Sequence, residues 1–398
     1  MKVLVINCGS SSIKYKLYNM ENEQELCSGL LEKVGTQESI VNHKKGNTKY
    51  KETMPLPDYE TGIKRILQNI TDPDRGALKD VHEIKAVGHR VVHGAETFSG
   101  SQLLTEEVIK KMEECIPLAP LHNPPNLAGI GAFKKLLPDT PQVGVFDTAF
   151  HQTMPRESYL YAIPYELYKK HHFRRYGFHG TSHLFVSQEA AKFLGKPASQ
   201  LKIITCHLGN GSSICAVDGG KSVDTTMGMT PLEGLIMGTR CGDLDPALPF
   251  FIMEKEKLDS KGVDNILNKK SGLLGISGYN DSRDVEEGYL KGDEMCTLAH
   301  IMFCRRIKKY IGAYAAAMGG LDAVVFTAGI GENSDLTRRD SLTGLEFLGI
   351  NLDQEKNTAR SKEMRDISAT DSKVKVLVIP TNEELVIARD TKLIVSRP

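Results

Sequence analysis

The pattern of apolar and polar residues places a short β-hairpin near the middle of the chain. Two apolar runs, one starting at Ile203 and the other covering residues 214–217, flank the stretch HLGNGSS at 207–213. Asn-Gly between two β-prone runs is a strong hairpin signal. A glycine turn exposes backbone N–H groups and lets the backbone approach a ligand closely, so this turn suits a phosphate.

A similar pattern opens the chain. Residues 3–6 form an apolar strand, residues 7–12 (NCGSSS) a turn, and residues 13–18 a strand with alternating apolar positions. When Ile13 is aligned with Ile214, about half the chain length further on, Gly9 falls beside Asn210 and the paired serines coincide. We interpret this match as an internal duplication of a strand–phosphate turn–strand unit.

The rest of the pattern alternates between helices and strands. Helical spacing covers residues 58–69, 106–115, 183–194 and 303–318, and short strands are predicted at 84–88, 142–146, 323–326 and 375–380. Thr181 and Ser182 are candidate caps for the third helix. Thr381 and Glu384 match a capping box at the start of the last helix, which leaves Glu383 free to face elsewhere. The proline-rich segment 117–126 is expected to be an ordered loop.

The amino-acid composition argues against several classes of protein. The 398 residues suggest two or three domains, and the 50 basic and 50 acidic residues cancel, which argues against a nucleic-acid partner. No apolar run is long enough to span a bilayer, and the chain enters a strand at once, so neither a membrane segment nor a signal peptide is expected. The eight cysteines are scattered and contain no C-x-x-C pair, which is typical of reduced thiols in a cytoplasmic protein.

Charged residues near strand ends and glycines supply the candidate chemistry. Arg90 and Arg240 lie beside glycine-containing turns, and His179 precedes a predicted helix start, where an anion-facing imidazole fits. Asp147 ends a predicted strand, where its residue type alone favours a helix cap over catalysis. The glycines of residues 327–334 indicate close backbone approach to a ligand. Walker A, H-E-x-x-H and G-x-S-x-G motifs are all missing, and phosphoryl transfer from a nucleotide fits best.

The sequence resembles acetate kinases over its whole length. Eight blocks in the family's order carry the resemblance: NCGSSSIK at 7–14, HRVVHG at 89–94, FDTAFHQ at 146–152, YGFHGTSH at 176–183, HLGNGSS at 207–213, MGTRCG at 237–242, TAGIGENS at 327–334 and PTNEEL at 380–385. Cys8 departs from the small residue expected there, without consequence for the chemistry.

The resemblance implies a duplicated α/β fold of the actin-like ATPase (ribonuclease H-like) type, with an active-site cleft between two domains. The first domain would cover residues 1–148 and be completed by a helix at 382–398, and the second would cover 149–381. The implied reaction is reversible, Mg²⁺-dependent, direct in-line transfer of the ATP γ-phosphoryl group to acetate, giving acetyl phosphate and ADP. Mn²⁺ is expected to substitute for Mg²⁺, and a cytoplasmic homodimer is implied.

The same resemblance assigns roles to individual residues. Arg90 and Arg240 would clamp acetate and the transferring phosphoryl group, His179 would stabilise the transition state, and Asp147 would orient the site. Asn7 and Glu383 would hold Mg²⁺, directly or through water. The acetate methyl pocket would consist of Val92, Leu121, Phe178 and Pro231, together with Arg90 at the carboxylate. The nucleotide would be bound by Ser12, Lys14, His207, Leu208, Gly209, Asn210, Gly211, Asp281, Ser282, Arg283, Gly329, Ile330, Gly331, Glu332 and Asn333.

Two alternatives stay open at this point. A propionate or butyrate kinase would differ only in pocket volume, and one methylene is worth only about 1–3 kcal/mol of discrimination. A non-kinase ATPase of the same fold would not need two arginines and a closed methyl pocket, and no partner-binding extension is visible in the sequence.

Overall fold

The computed structural model describes residues 1–120 and 122–397. Within them the chain forms two compact units. The first contains residues 1–150 and the segment that begins at Asn382, and the second is His151–Thr381. The first unit is therefore built from two separate parts of the chain. Leu121, expected in the acetate pocket, lies outside the described residues.

An eight-stranded sheet forms the centre of the first unit. Its strands are β1 (Lys2–Cys8), β2 (Ser12–Asn19), β3 (Gln24–Glu32), β4 (Thr36–Lys45), β5 (Thr48–Leu56), β6 (Ile84–Val91), β7 (Gln102–Leu103) and β8 (Gln142–Phe146). They lie in the order β5-β4-β3-β2-β1-β6-β8-β7. The β1, β2 and β3 strands are antiparallel, whereas β6 and β8 continue parallel to β1. The central β1 strand is buried on both faces, which explains its continuous apolar run.

Three helices of the first unit precede its last strand. They are α1 (Tyr59–Thr71), α2 (Glu106–Glu114) and α3 (Asn123–Leu136), and two of them, α1 and α2, match the predicted helices. The expectation of a loop throughout residues 117–126 is wrong, because α3 begins at Asn123 with prolines in its first turn. Proline is tolerated there, since the N–H groups of the first turn have no partner within the helix.

The second unit repeats the central topology of the first. Its sheet contains β9 (Lys202–Leu208), β10 (Ser212–Asp218), β11 (Lys221–Thr225), β12 (Ala323–Thr327), β13 (Arg365–Asp366) and β14 (Lys375–Val378). The order is β11-β10-β9-β12-β14-β13, with an antiparallel β9–β10–β11 meander followed by the parallel strands β12 and β14. The shared order of three antiparallel and two parallel strands confirms the predicted duplication.

The two phosphate-type turns are not identical in length. In the first unit Cys8 pairs with Ile13 across the turn, whereas in the second Leu208 pairs with Ser212. The second turn is therefore one residue shorter. The residue-by-residue match of Gly9 with Asn210, expected from a single alignment offset, does not hold at the turns.

The helices of the second unit include one long central element. They are α4 (Arg156–Tyr159), α5 (Tyr165–His171), α6 (Gly180–Phe193), α7 (Leu248–Glu256), α8 (Ser260–Lys269), α9 (Gly272–Ser277), α10 (Ser282–Leu290), α11 (Glu294–Met318), α12 (Ala328–Asn333), α13 (Asp335–Leu342) and α14 (Gln354–Thr358). The α11 helix starts well before the predicted residue 303, because Asp293 caps it. It ends at Gly319 in the left-handed conformation, as predicted.

The caps expected for α6 are wrong. His179 occupies the N-cap position with a left-handed φ of 56°, and Thr181 and Ser182 lie inside the helix. The left-handed turn at His179 starts the helix two residues earlier than a hydroxyl cap would. The imidazole consequently lies at the positive end of α6, as the sequence analysis expected.

The last helix, α15 (Glu383–Val395), completes the first unit by covering its sheet. Ile387 and Ala388 pack with Val3 and Val5 of β1. The predicted capping box is wrong: the Oδ1 atom of Asn382 accepts the N–H of Leu385 at 3.2 Å, and Asn382 is the cap. Glu384 instead forms ion pairs with Lys14 and Lys16.

Among the described residues no helix is long and apolar enough to cross a membrane. All eight cysteines are free thiols, and only Cys241 is not fully buried.

The contact between Gly88 of β6 and α15 yields a stability prediction. A Cβ added at Gly88 would stand 2.7 Å from Ile387 Cγ2 and would also overlap the Thr391 hydroxyl. Overpacking of this kind costs about 1–3 kcal/mol. We expect Gly88→Ala to lower the free energy of unfolding by that amount, as measured by urea denaturation.

Gly131→Ala is the matched control. Gly131 lies on α3, and no atom lies within 4 Å of the position of an added Cβ. Alanine is favoured over glycine inside a helix by about 0.8–1 kcal/mol, so this variant should be as stable as the wild type or more so. Equal unfolding free energies for both variants would contradict the tight packing of α15.

Candidate functional site

Arg90 and Asp147 form a two-point ion pair in the first unit. They lie at the ends of the neighbouring parallel strands β6 and β8, whose carboxyl ends meet at one sheet edge. Arg90 Nε lies 3.1 Å from each carboxylate oxygen of Asp147, and Nη2 lies 2.7 Å from Oδ2. Burial lowers the pKa of Arg90, but Asp147 and Glu383 outweigh it and the net effect is a raised pKa. Arg90 Nη1 forms no hydrogen bond with any described residue, so it can serve a ligand.

Glu383 carries a buried oxygen that no described residue satisfies. Its Oε1 atom has no hydrogen-bond partner among the described residues. Burying a carboxylate oxygen unpaired is costly, so the position calls for a cation or a hydrogen-bonded water. Glu383 also raises the pKa of Arg90, which places the carboxylate near that guanidinium.

Asn7 is the second oxygen donor that the sequence analysis assigned to a metal. It lies near the end of β1, opposite Lys14 in the β1–β2 ladder. Its side chain makes no hydrogen bond to a described residue. Carboxylate and amide oxygens are what Mg²⁺ prefers, and Mg²⁺ keeps several waters or phosphate oxygens as further ligands. The described residues contain no cluster of three or more acidic, histidine or cysteine side chains that could bind a metal, so such an ion would need those extra ligands.

Arg240 is a partly buried cation without a carboxylate partner. It lies in an irregular segment of the second unit, and its Nη1 atom donates to the Pro231 carbonyl at 3.1 Å and contacts Met237 Sδ at 3.6 Å. No described carboxylate forms an ion pair with it. Burial lowers the pKa of Arg240. A guanidinium held in this state is suited to an anionic ligand.

Gly211 brings Arg240 and His179 to a common point. A Cβ added at Gly211 would stand 3.6 Å from Arg240 Nη1 and 3.6 Å from His179 Nε2. The glycine therefore leaves open a space that both side chains border. A polar group placed there could be reached by both, which fits a phosphoryl oxygen.

His179 belongs to a network of buried histidines and hydroxyls that the sequence analysis did not recognise. His179 Nδ1 lies 2.9 Å from Ser213 Oγ, and Ser213 also contacts His183. The His179 and His207 rings stack at 4.1 Å between centroids. His207 Nδ1 in turn contacts Ser182 Oγ at 2.8 Å. The signal in the sequence was the density of histidine and hydroxyl residues in YGFHGTSH and HLGNGSS.

A cavity of about 660 Å³ in the second unit has the size of a nucleotide site. Eight residues predicted to bind the nucleotide line it: Gly209, Asn210, Asp281, Ser282, Arg283, Gly329, Ile330 and Asn333. Sequence reasoning missed five further lining residues, namely Gly238, Leu273, Asn280, Glu286 and Ser334. The remaining predicted nucleotide residues do not line this cavity: Ser12, Lys14, His207, Leu208, Gly211, Gly331 and Glu332.

The glycine-rich segment after β12 is a short helix rather than a loop. Ala328 begins α12 with a positive φ of 64°, and its N–H donates to Glu332 Oε1 at 2.8 Å. Arg338 is 1% exposed and donates to the carbonyls of Gly331 and Glu332 at 2.9 and 3.1 Å. A cation at the C-terminal end of a helix is stabilising. Arg338, which the sequence analysis missed, thus supports the helix that carries three cavity residues.

The predicted acetate-pocket residues are distributed over both units. Val92 follows β6, and its N–H donates to Asn126 Oδ1 at 3.2 Å. Phe178 is buried and directly precedes His179, while Pro231 contacts Arg240 through its carbonyl.

Comparison with known proteins gives the family. The model of the acetokinase family matches residues 2–389. The chain belongs to this family.

Individual relatives cover the chain end to end. The acetate kinases of Thermotoga maritima and Carboxydothermus hydrogenoformans are 61% and 58% identical to it, over 100% of this chain and 99% and 100% of theirs. The crystal structure of Porphyromonas gingivalis acetate kinase superposes with a TM-score of 0.95 at 51% identity, covering 99% of this chain and 100% of that one. A propionate kinase from Francisella tularensis gives 0.93 at 43% identity, covering 99% of each chain. The predicted acetokinase resemblance and its fold are confirmed.

The Glu384 ion pairs give a prediction about pH. Burial raises the pKa of Glu384, but Lys14 and Lys16 outweigh it, and the net effect is a lowered pKa. A carboxyl with a lowered folded-state pKa stabilises the fold above its unfolded pKa, and this contribution is lost as pH falls through the folded value. We expect Glu384→Gln to lower the free energy of unfolding by about 1–3 kcal/mol at pH 7. The difference from the wild type should shrink below pH 4.

Glu107→Gln provides the control, because the Glu107–Lys111 pair is exposed on α2. Exposed pairs contribute little, so this variant should show a much smaller change at pH 7. A difference between Glu384→Gln and the wild type that stays constant from pH 7 to pH 3 would rule out the ion pairs as its source.

Proposed function

We propose that the chain is an acetate kinase that transfers the γ-phosphoryl group of ATP to acetate, reversibly and by direct in-line displacement, giving acetyl phosphate and ADP. The observation that carries the proposal is Arg240: a partly buried guanidinium without a carboxylate, which shares the space above Gly211 with His179. A nucleotide-sized cavity in the same unit and membership of the acetokinase family supply the context.

Acetate needs no general base, because its attacking oxygen is already an anion. The difficulty is the repulsion between this carboxylate and the γ-phosphate. We assign Arg90 to the carboxylate, with Asp147 fixing the plane of its guanidinium so that Nη1 stays available. Holding both reactants in line replaces a bimolecular encounter by a positioned one.

Arg240 and His179 would act on the transferring group. Charge spreads over its equatorial oxygens in the transition state, and donors placed there stabilise that state more than the ground state. The Arg240 guanidinium can donate two parallel hydrogen bonds, and the His179 imidazole can donate one. Phe178 and Pro231 would help to exclude water, which otherwise would take the phosphoryl group in place of acetate.

Asn7 and Glu383 are the residues we assign to Mg²⁺, with Mn²⁺ as a substitute. Their oxygens fit the ion, and the unsatisfied Oε1 of Glu383 supports the assignment. Bound Mg²⁺ would neutralise part of the triphosphate charge. We assign the eight predicted cavity residues to the nucleotide, and Lys14 and Ser12 to its phosphates.

Acetate is preferred over propionate in this proposal. The two bacterial sequences named acetate kinase above are 58% and 61% identical to the chain, and the solved Porphyromonas gingivalis acetate kinase, at 51%, is more similar than the solved propionate kinase at 43%. The near-equal TM-scores of the two solved structures do not separate the substrates. We further propose that the two units are the two domains and that the enzyme is a cytoplasmic homodimer. The free cysteines support a reducing compartment, and exposed apolar residues such as Phe250 support a partner surface.

The test is formation of acyl phosphate from Mg-ATP with acetate, propionate or butyrate, trapped with hydroxylamine. Acetate should give the highest kcat/KM. A higher value for propionate would replace the substrate assignment, and ATP hydrolysis without any acyl phosphate would overturn the kinase function.

Arg240→Ala should lower kcat by about 10³–10⁵, the usual effect of losing a transition-state arginine in phosphoryl transfer. ATP affinity, measured by calorimetry, should change little. Arg240→Lys should recover only a small part of the rate, because an ammonium group cannot make the forked contact. A variant that keeps more than about a tenth of the wild-type kcat would leave Arg240 with under ~1.4 kcal/mol of stabilisation, and its role would be rejected.

Glu383→Gln should raise the Mg²⁺ concentration needed for half-maximal rate, because the amide removes the charge but keeps the shape. Glu107→Gln is the control, since Glu107 is an exposed carboxylate paired with Lys111 on α2. An identical Mg²⁺ dependence in both variants would show that Glu383 does not bind the ion.

A further inference from the structure

The hydrogen bonds around His183 form a single chain that ends at His179. His183 Nδ1 lies 2.7 Å from Thr205 Oγ1, and His183 Nε2 lies 2.8 Å from Ser213 Oγ. Ser213 Oγ then lies 2.9 Å from His179 Nδ1. Thr205, His183 and Ser213 are all 0% exposed. Water therefore does not compete for these bonds.

Counting hydrogens leaves three arrangements for this chain. Burial, together with His151 and His207, lowers the pKa of His183 well below its usual value, so its ring is neutral and carries one N–H. Each hydroxyl also has one hydrogen and can accept two. The bonds therefore run from Thr205 to His179, or from His179 to Thr205, or both imidazoles donate to Ser213.

The buried hydroxyl hydrogens decide among the three. If the chain ran from His179, Thr205 Oγ1 would accept from His183, and its own hydrogen would have no acceptor among the described residues. If both imidazoles donated to Ser213, the Ser213 hydrogen would have none there either. If the chain starts at Thr205, its hydroxyl donates to His183 Nδ1, His183 Nε2–H donates to Ser213, and Ser213 donates to His179 Nδ1, so every hydrogen has an acceptor. A buried donor without a partner disfavours each of the other two arrangements by roughly tenfold or more.

We propose that the Thr205–His183–Ser213 chain is a positioning device that keeps His179 neutral with its hydrogen on Nε2. That atom borders the space above Gly211, which Arg240 Nη1 also borders. A doubly protonated His179 would carry a hydrogen on Nδ1 and would leave the hydrogen of either Thr205 or Ser213 without an acceptor among the described residues. His179 thus donates one hydrogen bond to the transferring group, while Arg240 supplies the charge. The inference deepens the proposed function and rests on it for the identity of the acceptor.

The direct test is nitrogen NMR of wild-type protein labelled with ¹⁵N-histidine, with His179→Gln used to assign the His179 signals. We expect His179 Nδ1 to appear as an unprotonated nitrogen and Nε2 as a protonated one at pH 7. A proton on Nδ1, in either the neutral or the charged ring, would overturn the proposal. This readout needs no turnover, so a wild-type enzyme that fails the acyl phosphate assay would reject the proposed function without touching the tautomer.

Variants then connect the chain with catalysis. Ser213→Ala removes the bond to His179 and should lower kcat by about 10- to 100-fold with little change in the KM for ATP, because positioning is lost and binding is kept. Ser213→Ala also removes the hydrogen that His179 Nδ1 accepts, so a hydrogen on His179 Nδ1 should appear in its NMR spectrum. Thr205→Ser keeps the hydroxyl that donates to His183 and should keep both the wild-type spectrum and rate.

Ser222→Ala is the matched control for Ser213→Ala. Ser222 Oγ also contacts a buried histidine, His151 Nδ1, at 2.8 Å, but that histidine is outside the chain to His179. Its kcat should stay close to that of the wild type. Equal losses of kcat in the two alanine variants, or a His179 spectrum in Ser213→Ala identical to that of the wild type, would reject the positioning role. If a variant does not fold, the wild-type tautomer still decides.

Discussion

The cost of holding positive charge away from water governs the arrangement of functional groups in this protein. The charges of Arg90 and Arg240 are compensated in different ways. Asp147 compensates Arg90 with a two-point ion pair, which fixes its orientation but leaves one nitrogen available. Among the described residues Arg240 donates to a carbonyl and contacts a thioether but pairs with no carboxylate, so its charge stays available to an anion. Arg338 shows a third solution, in which helix carbonyls replace a carboxylate altogether.

Thr381, the last residue of the second unit, forms hydrogen bonds with α12 and with the hydroxyl–histidine network. The N–H of Thr381 donates to Glu332 Oε1 at 3.2 Å, and the same oxygen accepts the N–H that begins α12. The Thr381 hydroxyl contacts Ser182, which contacts His207. Asn382 and Glu383 follow at once in the sequence. The last residue of the second unit is therefore held by the helix beside the cavity and by the hydroxyl that contacts His207.

Much of this architecture could be predicted from the sequence, because local signals and tertiary structure agree. The two glycine turns, the buried strands and the glycine stop at Gly319 each have a local cause, and the eight sequence blocks gave the family. The failures lie where a tertiary contact overrides a local rule. Glu384 does not form the predicted capping box, because it pairs with Lys14 and Lys16, which are distant in sequence. Pro124 and Pro125 lie in the first turn of α3, which is the part of a helix where proline is tolerated.

The hydroxyl partners of the histidines could not be predicted from the sequence for a different reason. Ser213 joins His179 and His183 only because β10 and α6 pack together, and a single sequence does not record which hydroxyl faces which ring. The same limit applies to the cavity. Leu273, Asn280 and Glu286 line it from α9, α10 and the segment between them, and no motif marks those positions.

The split of the first unit between residues 1–150 and the segment after Asn382 has a consequence for biosynthesis. The ribosome must make all of the second unit before α15 emerges to cover Val3, Val5 and the rest of that face of the sheet. Until then the nascent first unit exposes apolar surface and lacks Glu383. A growing chain can therefore complete the cavity of the second unit while it still lacks Glu383. Partially translated chains would expose the uncovered face of the sheet to chaperones for the whole of that interval.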